Sequence, residues 1–277
     1  MVIGGLAAAA LVVPPAAMGA TTVSLSGGTL TIVGSDADES ISIGSAGSNA
    51  LGPTTDVRGG GADMVAGTGC QGFGQPNGPA NDDSVFCPTN DIQRISATLG
   101  GGDDGFSAGN ALPMTVDAGP GDDEVTTGDG PDVVLGGDDD DEIDIDANTA
   151  AGTTSEVDGG GGDDELRIGR DGRATIVRGG QGRDVATYRF GSSGKAVSLD
   201  NVANDGGAGE GDDVRSDVED LIGTNANDTL IGSGVANTLD GAGGTDRLEG
   251  LGGPDTLIGG PGTSDATFGG EGADAIK

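Results

Sequence analysis

The chain has 277 residues, 46 acidic against 12 basic, a formal net charge of -34 and no histidine. That balance excludes binding to nucleic acid through its phosphates and docking on an anionic membrane surface, both of which need clustered Lys and Arg. The missing histidine excludes His-based triads, His general bases and His-ligated zinc or iron. Aromatics are 2% of the residues. So few large side chains with so much charge fall in the class that stays disordered, unless something neutralises the charge and a regular pattern arranges the apolar residues.

In chain order, the first segment is MVIGGLAAAALVVPPAAMGA. An apolar run, then small residues, with a cleavage site after Gly19 or Ala20, predicts a secretory signal peptide over residues 1–20. Gly4, Gly5, Pro14 and Pro15 interrupt the run, and it falls short of the about 20 residues that span a bilayer. No other stretch is long and apolar enough to cross, so no membrane span is expected.

Residues 21–98 read as an N-terminal β region. Val23 and Leu25 alternate before Gly27-Gly28, and Leu30 and Ile32 alternate after it, which is a hairpin signature. Ile41 and Ile43 mark another strand, and Asp91–Leu99 and Met114–Val116 read as single strands. Cys70 and Cys87 fit export and predict a disulfide, worth on the order of 3 kcal/mol for a loop of this size. Two cysteines are too few for a zinc site.

From residue 99 the glycines become periodic. Over 223–277 the chain breaks into nines: GTNANDTLI, GSGVANTLD, GAGGTDRLE, GLGGPDTLI, then GGPGTSDATF with one extra residue, then GGEGADAIK. The sixth place holds Asp228, Asn237, Asp246, Asp255, Asp265 and Asp274. The eighth holds Leu230, Leu239, Leu248, Leu257 and Ile276, with Phe268 expected there in the irregular unit. Over 99–190 the same template recurs in LGGGDDGFS, AGPGDDEVT, TGDGPDVVL, GGDDDDEID, GGGGDDELR and GGQGRDVAT. Their sixth residues are Asp104, Asp123, Asp132, Asp141, Asp164 and Asp184, and Asp139 replaces glycine at the fourth place of GGDDDDEID. RGGGADMVA, with Asp63 and Val65, is a looser copy, and Arg173 and Arg183 intrude in the middle units. Residues 191–222 link the two blocks. Val214–Leu221 is the nearest approach to a helix, but its alternation suits a strand.

The run Asp138–Glu142 is five consecutive acids. Two charges about 5 Å apart repel by roughly 0.8 kcal/mol in water and by more where water is thin. Such a segment either never folds or holds something positive among its carboxylates. Glycines let the chain turn tightly and expose backbone carbonyls, and carboxylate with carbonyl oxygens suits a hard cation.

The pattern G-G-x-G-x-D-x-U-x resembles the RTX, or haemolysin-type, calcium-binding nonapeptide repeat. The likeness covers roughly residues 58–277, including the linking stretch ATYRFGSSGKAVSLDNVANDGGAGEGDDVRSDVEDLIG. It implies an all-β parallel β-roll, or β-solenoid, with two nonapeptides per coil and Ca2+ between turns. The residues it implicates are Asp104, Asp123, Asp132, Asp139, Asp141, Asp164, Asp184, Asp228, Asn237, Asp246, Asp255, Asp265 and Asp274. Stacked pairs follow: Asp123 with Asp141, Asp228 with Asp246, Asp246 with Asp265, Asp255 with Asp274, and Asn237 with Asp255, the last weaker by one charge.

The expected function is calcium binding by a secreted, extracellular repeat protein whose folding is coupled to the ion. Its role is structural or binding, with a cell-surface polysaccharide or protein as the further partner. The repeats fill most of the chain and leave no room for a catalytic domain, so no enzyme is expected. The alternative is a calcium-dependent, polysaccharide-active β-solenoid enzyme. It has paired carboxylates, as retaining glycosidases do, but lacks aromatics for sugar stacking. Tyr188 beside Arg189 is its one foothold, and packing at the end of a repeat is the plainer reading of Tyr188.

Overall fold

The computed structural model describes residues 20–49, 52–60, 63–72, 84–145, 153–169, 174–262 and 264–277. The expected signal segment up to Gly19 and the intruding Arg173 lie outside the described residues. The fold is a β-solenoid. Among the described residues there are β-strands and one 3-10 turn, Thr89–Asp91, but no α-helix.

The N-terminal end is antiparallel. Strand Ala20–Ser26 turns through Gly27 (φ 57°) and Gly28 (φ 82°) into Thr29–Val33, with Leu25 opposite Leu30 and Val23 opposite Ile32. Positive φ at both turn residues matches the twist of a two-residue hairpin, and glycine adopts it without strain. Ser40–Asn49 pairs antiparallel with Gly52–Gly60, which pairs antiparallel with Ser84–Pro88. The predicted disulfide is present: Cys70 is bonded to Cys87, tying the loop beside Gln71–Gly72 to this sheet. The looser copy around Asp63 does not join the repeats. Asp63–Ala66 is an edge strand beside Ala20–Ser26, and Val65 is exposed.

From Arg94 onward the described strands pair in parallel, with two isolated antiparallel bridges, Ala196 to Gly206 and Asp205 to Asp212, in the linking segment, and the chain climbs in coils. One face stacks Arg94–Thr98, Met114–Pro120, Val133–Asp138, Thr154–Gly161, Ala174–Gln181 and Asp213–Val214. The opposite face runs without a break from Gly105–Ala108 through Glu142–Ile145 and Asp220–Ile222 to Ala275–Ile276. A third sheet, Ala196–Ser198, Thr229–Ile231, Arg247–Gly252 and Ala266–Glu271, carries the coil after the linking segment. Val214 and Leu221 lie in strands, as their alternation suggests.

The eighth-place residues form the core. Ile41, Phe106, Val125, Ile143, Leu166, Ala186, Leu221, Leu239, Leu257 and Ile276 stand in one registered column. All are buried except Ile276, on the last coil, which is 60% exposed. Leu230 and Leu248 stack in the third sheet, 248 − 230 = 18 residues apart, or two nonapeptides per coil. The irregular unit departs from the expectation. Thr267, not Phe268, lies opposite Leu248, and Phe268 is 51% exposed with Arg247 over its ring. The extra residue is absorbed before Asp265, so the count to the eighth place starts from the aspartate and lands on Thr267.

Candidate metal centre

Each glycine-rich turn ends on its sixth-place residue, immediately before a strand. The backbone N–H there faces the next coil, and the next coil's carboxylate takes it. Glu39 N–H donates to Asp104 Oδ1 at 2.7 Å, Asp104 to Asp123 at 2.7 Å, Asp123 to Asp141 at 2.9 Å, Asp141 to Asp164 at 2.9 Å and Asp164 to Asp184 at 3.0 Å. Asp184 N–H continues to Glu219 Oε2, Asn237 Nδ2 donates to the Glu219 carbonyl, and the Asn237 and Asp255 N–H groups go to Asp255 and Asp274. This edge is therefore one ladder from the N-terminal sheet to the last coil. Lys195 N–H to Asp228, Asp228 to Asp246 and Asp246 to Asp265 form a second ladder on the turns that enter the third sheet. All five expected stacked pairs are neighbours.

The other carboxylate oxygen decides the chemistry. Oδ2 of Asp104, Asp123, Asp141, Asp164, Asp184, Asp246 and Asp255 is buried with no hydrogen-bond donor. In the turns of Asp141, Asp164, Asp184, Asp246 and Asp255 the first place is glycine, which lets this oxygen come close to the backbone where a side chain would collide with it. A β-carbon on Gly136 would lie 2.2 Å from Asp141 Oδ2 and 2.4 Å from the carbonyl oxygen of Gly159 in the next coil. At Gly159 the same two distances are 2.2 Å to Asp164 Oδ2 and 2.8 Å to the Gly179 carbonyl, and at Gly250 they are 2.2 Å to Asp255 Oδ2 and 2.6 Å to the Gly269 carbonyl. Each such turn brings together a bare carboxylate oxygen and a carbonyl oxygen. Burying such a charge uncompensated is expensive, and the group must find a cation or a proton. Among the described residues no three acidic or cysteine side chains converge on one point, so a cation here would be held by at most two carboxylates plus backbone carbonyls.

The protonation equilibria report the same strain. Burial, opposed by the backbone N–H bond and reinforced by neighbouring acids, pushes Asp104 up to about 7, Asp123 to about 6, Asp141 to about 8 and Asp184 to about 7. Asp164, Asp246 and Asp255 are raised for the same leading reason.

Two expected ligands are satisfied from within. Asp228 Oδ2 accepts the Thr224 N–H at 2.7 Å and the Thr224 hydroxyl, and Asn237 Oδ1 accepts the Ser233 N–H at 2.7 Å. Thr224 and Ser233 occupy the second place, where the other units carry glycine, Ala242 or Leu251. Asp132 lies on the opposite edge, between Met114 N–H and Ser155 Oγ, with no acid stacked above or below it. Asp265 and Asp274 are half-buried in the outer coils. Asp139 stands apart from the ladders, exposed and left-handed (φ 79°), where Gly102, Gly121, Gly162 and Gly182 hold the equivalent place.

A further row was not anticipated. At the fifth place Asp103 N–H donates to Asp38 Oδ1, Asp122 to Asp103, Asp140 to Asp122, Asp163 to Asp140 and Arg183 to Asp163. This exposed row runs in the opposite sense to the buried one: each carboxylate accepts from the coil after it. The repeated Asp-Asp doublet of the first block was its signal. Arg183 ends the row and pairs outward with Asp220 at 2.6 Å.

Tyr188, the foothold of the alternative reading, is buried and donates its hydroxyl to Asp212 Oδ2 at 3.1 Å. It lines no open face. Around it Lys195 pairs with Glu210 at 2.8 Å and lies over the Tyr188 ring, while Asp205 accepts from Ser198 and Val214. These residues join the linking segment to the coils by satisfied polar contacts.

Compared with known proteins, no family model matches this chain and no curated protein matches it.

Proposed function

We propose that this is a calcium-binding repeat protein of RTX type, in which the ion completes the fold. The reading rests on one observation: seven aspartates of the two ladders bury a carboxylate oxygen with no hydrogen-bond donor, several of them close to a carbonyl oxygen of the next coil that a first-place glycine allows to approach. Asp104, Asp123, Asp141, Asp164, Asp184, Asp246 and Asp255 would hold the ions. Asp228 and Asn237 contribute less, because Thr224 and Ser233 already serve them. Calcium accepts mixed carboxylate and carbonyl shells of variable geometry, whereas magnesium demands a near-ideal octahedron.

Without the ion the buried charges oppose folding, and the thin column of Val, Leu and Ile must hold the coils alone. Ligand that binds only the folded chain adds its binding energy to stability. Extracellular calcium sites are commonly weak, about 10^-4 to 10^-3 M, so such a chain would order itself outside the cell. The Cys70–Cys87 disulfide supports export. The role proposed is structural or adhesive rather than catalytic, toward a cell-surface polysaccharide or protein.

Native mass spectrometry of the chain with calcium or magnesium tests the assignment. The expected result is several bound calcium ions and no stoichiometric magnesium. A calcium-free spectrum at millimolar calcium contradicts it.

A further inference from the structure

The second block of coils holds one side chain that the nonapeptide does not call for. At the second place of the turn, Gly100, Gly119, Gly137, Gly160 and Gly180 all have φ between 109° and 137°. Leu251 holds that place in GLGGPDTLI with φ 73°, and it is 49% exposed. A left-handed backbone strains a leucine, and exposure leaves its apolar side chain in water, so neither folding nor solubility accounts for it. Held strain of this kind clusters at ligand-binding sites. Leu251 lines a cleft of about 720 Å³ between the linking segment and the coils that follow. A second cleft of about 200 Å³ adjoins it and shares Ser198, Asn204 and Ile231. On the linking-segment side stands Asn201, also left-handed (φ 62°). Its Oδ1 accepts the Ser216 N–H at 3.0 Å, and its Nδ2 donates to Ser216 Oγ at 2.9 Å. Asp200 Oδ1 accepts the Val202 N–H at 3.0 Å. This wall is therefore preformed. Asp200 Oδ2 and the Asn204 side-chain amide have no partner among the described residues. No Lys or Arg is among the residues that line either cleft.

We propose that this cleft binds an uncharged polysaccharide, with Leu251 against the C–H face of a sugar ring and Asp200 and Asn204 taking its hydroxyls. The inference names a site for the polysaccharide partner proposed above. It rests on that half of the reading and not on the calcium sites. An apolar surface with a few placed polar groups is what a ligand site requires, and two adjoining clefts suit a chain of rings. Without a cation in the lining, and with a net charge of -34, an acidic polymer is repelled. A peptide would add itself to an open strand edge. The strand that borders the cleft, Ala196–Ser198, pairs with Thr229–Ile231 on one side and bridges through Ala196 to Gly206 on the other. No aromatic lines the cleft, so Leu251 is its sugar-facing apolar surface. Binding is then weak at one site and gains from repetition along the polymer.

The test uses the full chain in calcium chloride, with saturation-transfer NMR against a panel of hexasaccharides. Cellohexaose, laminarihexaose, maltohexaose, mannohexaose and chitohexaose are the neutral chains, and hexagalacturonate is the acidic one. At least one neutral chain should receive saturation from the parent, and hexagalacturonate should not. Leu251→Gly restores the residue that most other turns carry at this place. It should melt no lower than the parent and keep the parent's calcium count by native mass spectrometry, yet bind the sugar at least tenfold more weakly. Asn204→Ala should weaken the sugar in the same way. Leu135→Ala, exposed outside the cleft, should leave sugar binding unchanged. Transfer to no neutral chain, equal transfer to hexagalacturonate, or unchanged affinity in Leu251→Gly would overturn the site. A chain that binds calcium but no sugar overturns this site and leaves the calcium reading standing. A chain that binds sugar through Leu251 but takes up no calcium supports this site and overturns the calcium reading.

Discussion

Asp141 accepts the Asp123 N–H through Oδ1 at 2.9 Å, while its Oδ2 is buried beside Gly136 with no donor. One carboxylate thus does two jobs: one oxygen sets the stacking of the coils, and the other is left without a donor, to be served by a proton or a cation. The two jobs are separable by mutation.

Asparagine keeps the first and removes the second. Asp246→Asn leaves an oxygen to accept the Asp228 N–H but removes the buried charge. The calcium-free chain should become more stable in urea, and the calcium midpoint should rise by roughly tenfold, equivalent to about 1.4 kcal/mol. Asp228→Asn should move the calcium midpoint far less, since Thr224 already donates to that carboxylate. Equal shifts for the two variants would count against the distinction.

The pH dependence has a definite sign. Folding raises Asp104, Asp123, Asp141 and Asp184 from 3.8 to between about 6 and about 8. The folded state therefore holds more protons than the unfolded one across that interval, and stability falls as pH rises. The contribution is fully present below about pH 4 and lost by about pH 8. In a chelator, urea unfolding should show a more stable protein at pH 5 than at pH 8. Calcium competes with those protons, so its midpoint should fall over the same range. A calcium-free chain that gains stability from pH 5 to pH 8 would reverse the argument.

Glycine at the first place is needed for close approach rather than for φ. Gly136 does not have a left-handed backbone, so alanine is permitted there by the chain itself, but its methyl would collide with Asp141 Oδ2 and the Gly159 carbonyl. Gly136→Ala should cost about 1–3 kcal/mol, as overpacking does, and should remove one bound calcium. Gly44→Ala meets nothing within 4 Å and should be neutral or stabilise slightly, by up to about 1 kcal/mol. Paired melts with ion counting check both.

Much of this was legible in the sequence. A period of nine with aspartate sixth and an apolar residue eighth marked the residues of the buried ladder and the core column, and the resemblance to a coil of two nonapeptides said which of them stack. Asp139 was not legible as an outlier, since an acid in a row of acids carries no mark of its backbone conformation. The roles of Thr224 and Ser233 depend on the side chains of Asp228 and Asn237 folding back four residues to their N–H groups. Glu219 escaped because the linking segment has no period, and only the coil geometry carries the ladder through it. Phe268 misled because one extra residue shifts every later place, and hydrophobicity was counted instead of register.

The core column should behave as a packed interior. Leu248 is fully buried, and Leu248→Ala should cost about 2–5 kcal/mol in the calcium-loaded protein. Phe268→Ala should cost less than about 1 kcal/mol, the scale of an exposed cation–π contact with Arg247. Thermal melts at saturating calcium distinguish them, and a larger loss at Phe268 would return it to the core.

The central claim is that the ion completes the fold, and far-UV circular dichroism of the chelated chain during a calcium titration tests it most directly. The account predicts a cooperative gain of β signal at millimolar calcium or below, absent with magnesium. A spectrum that is already fully β in chelator and unmoved by calcium would contradict it.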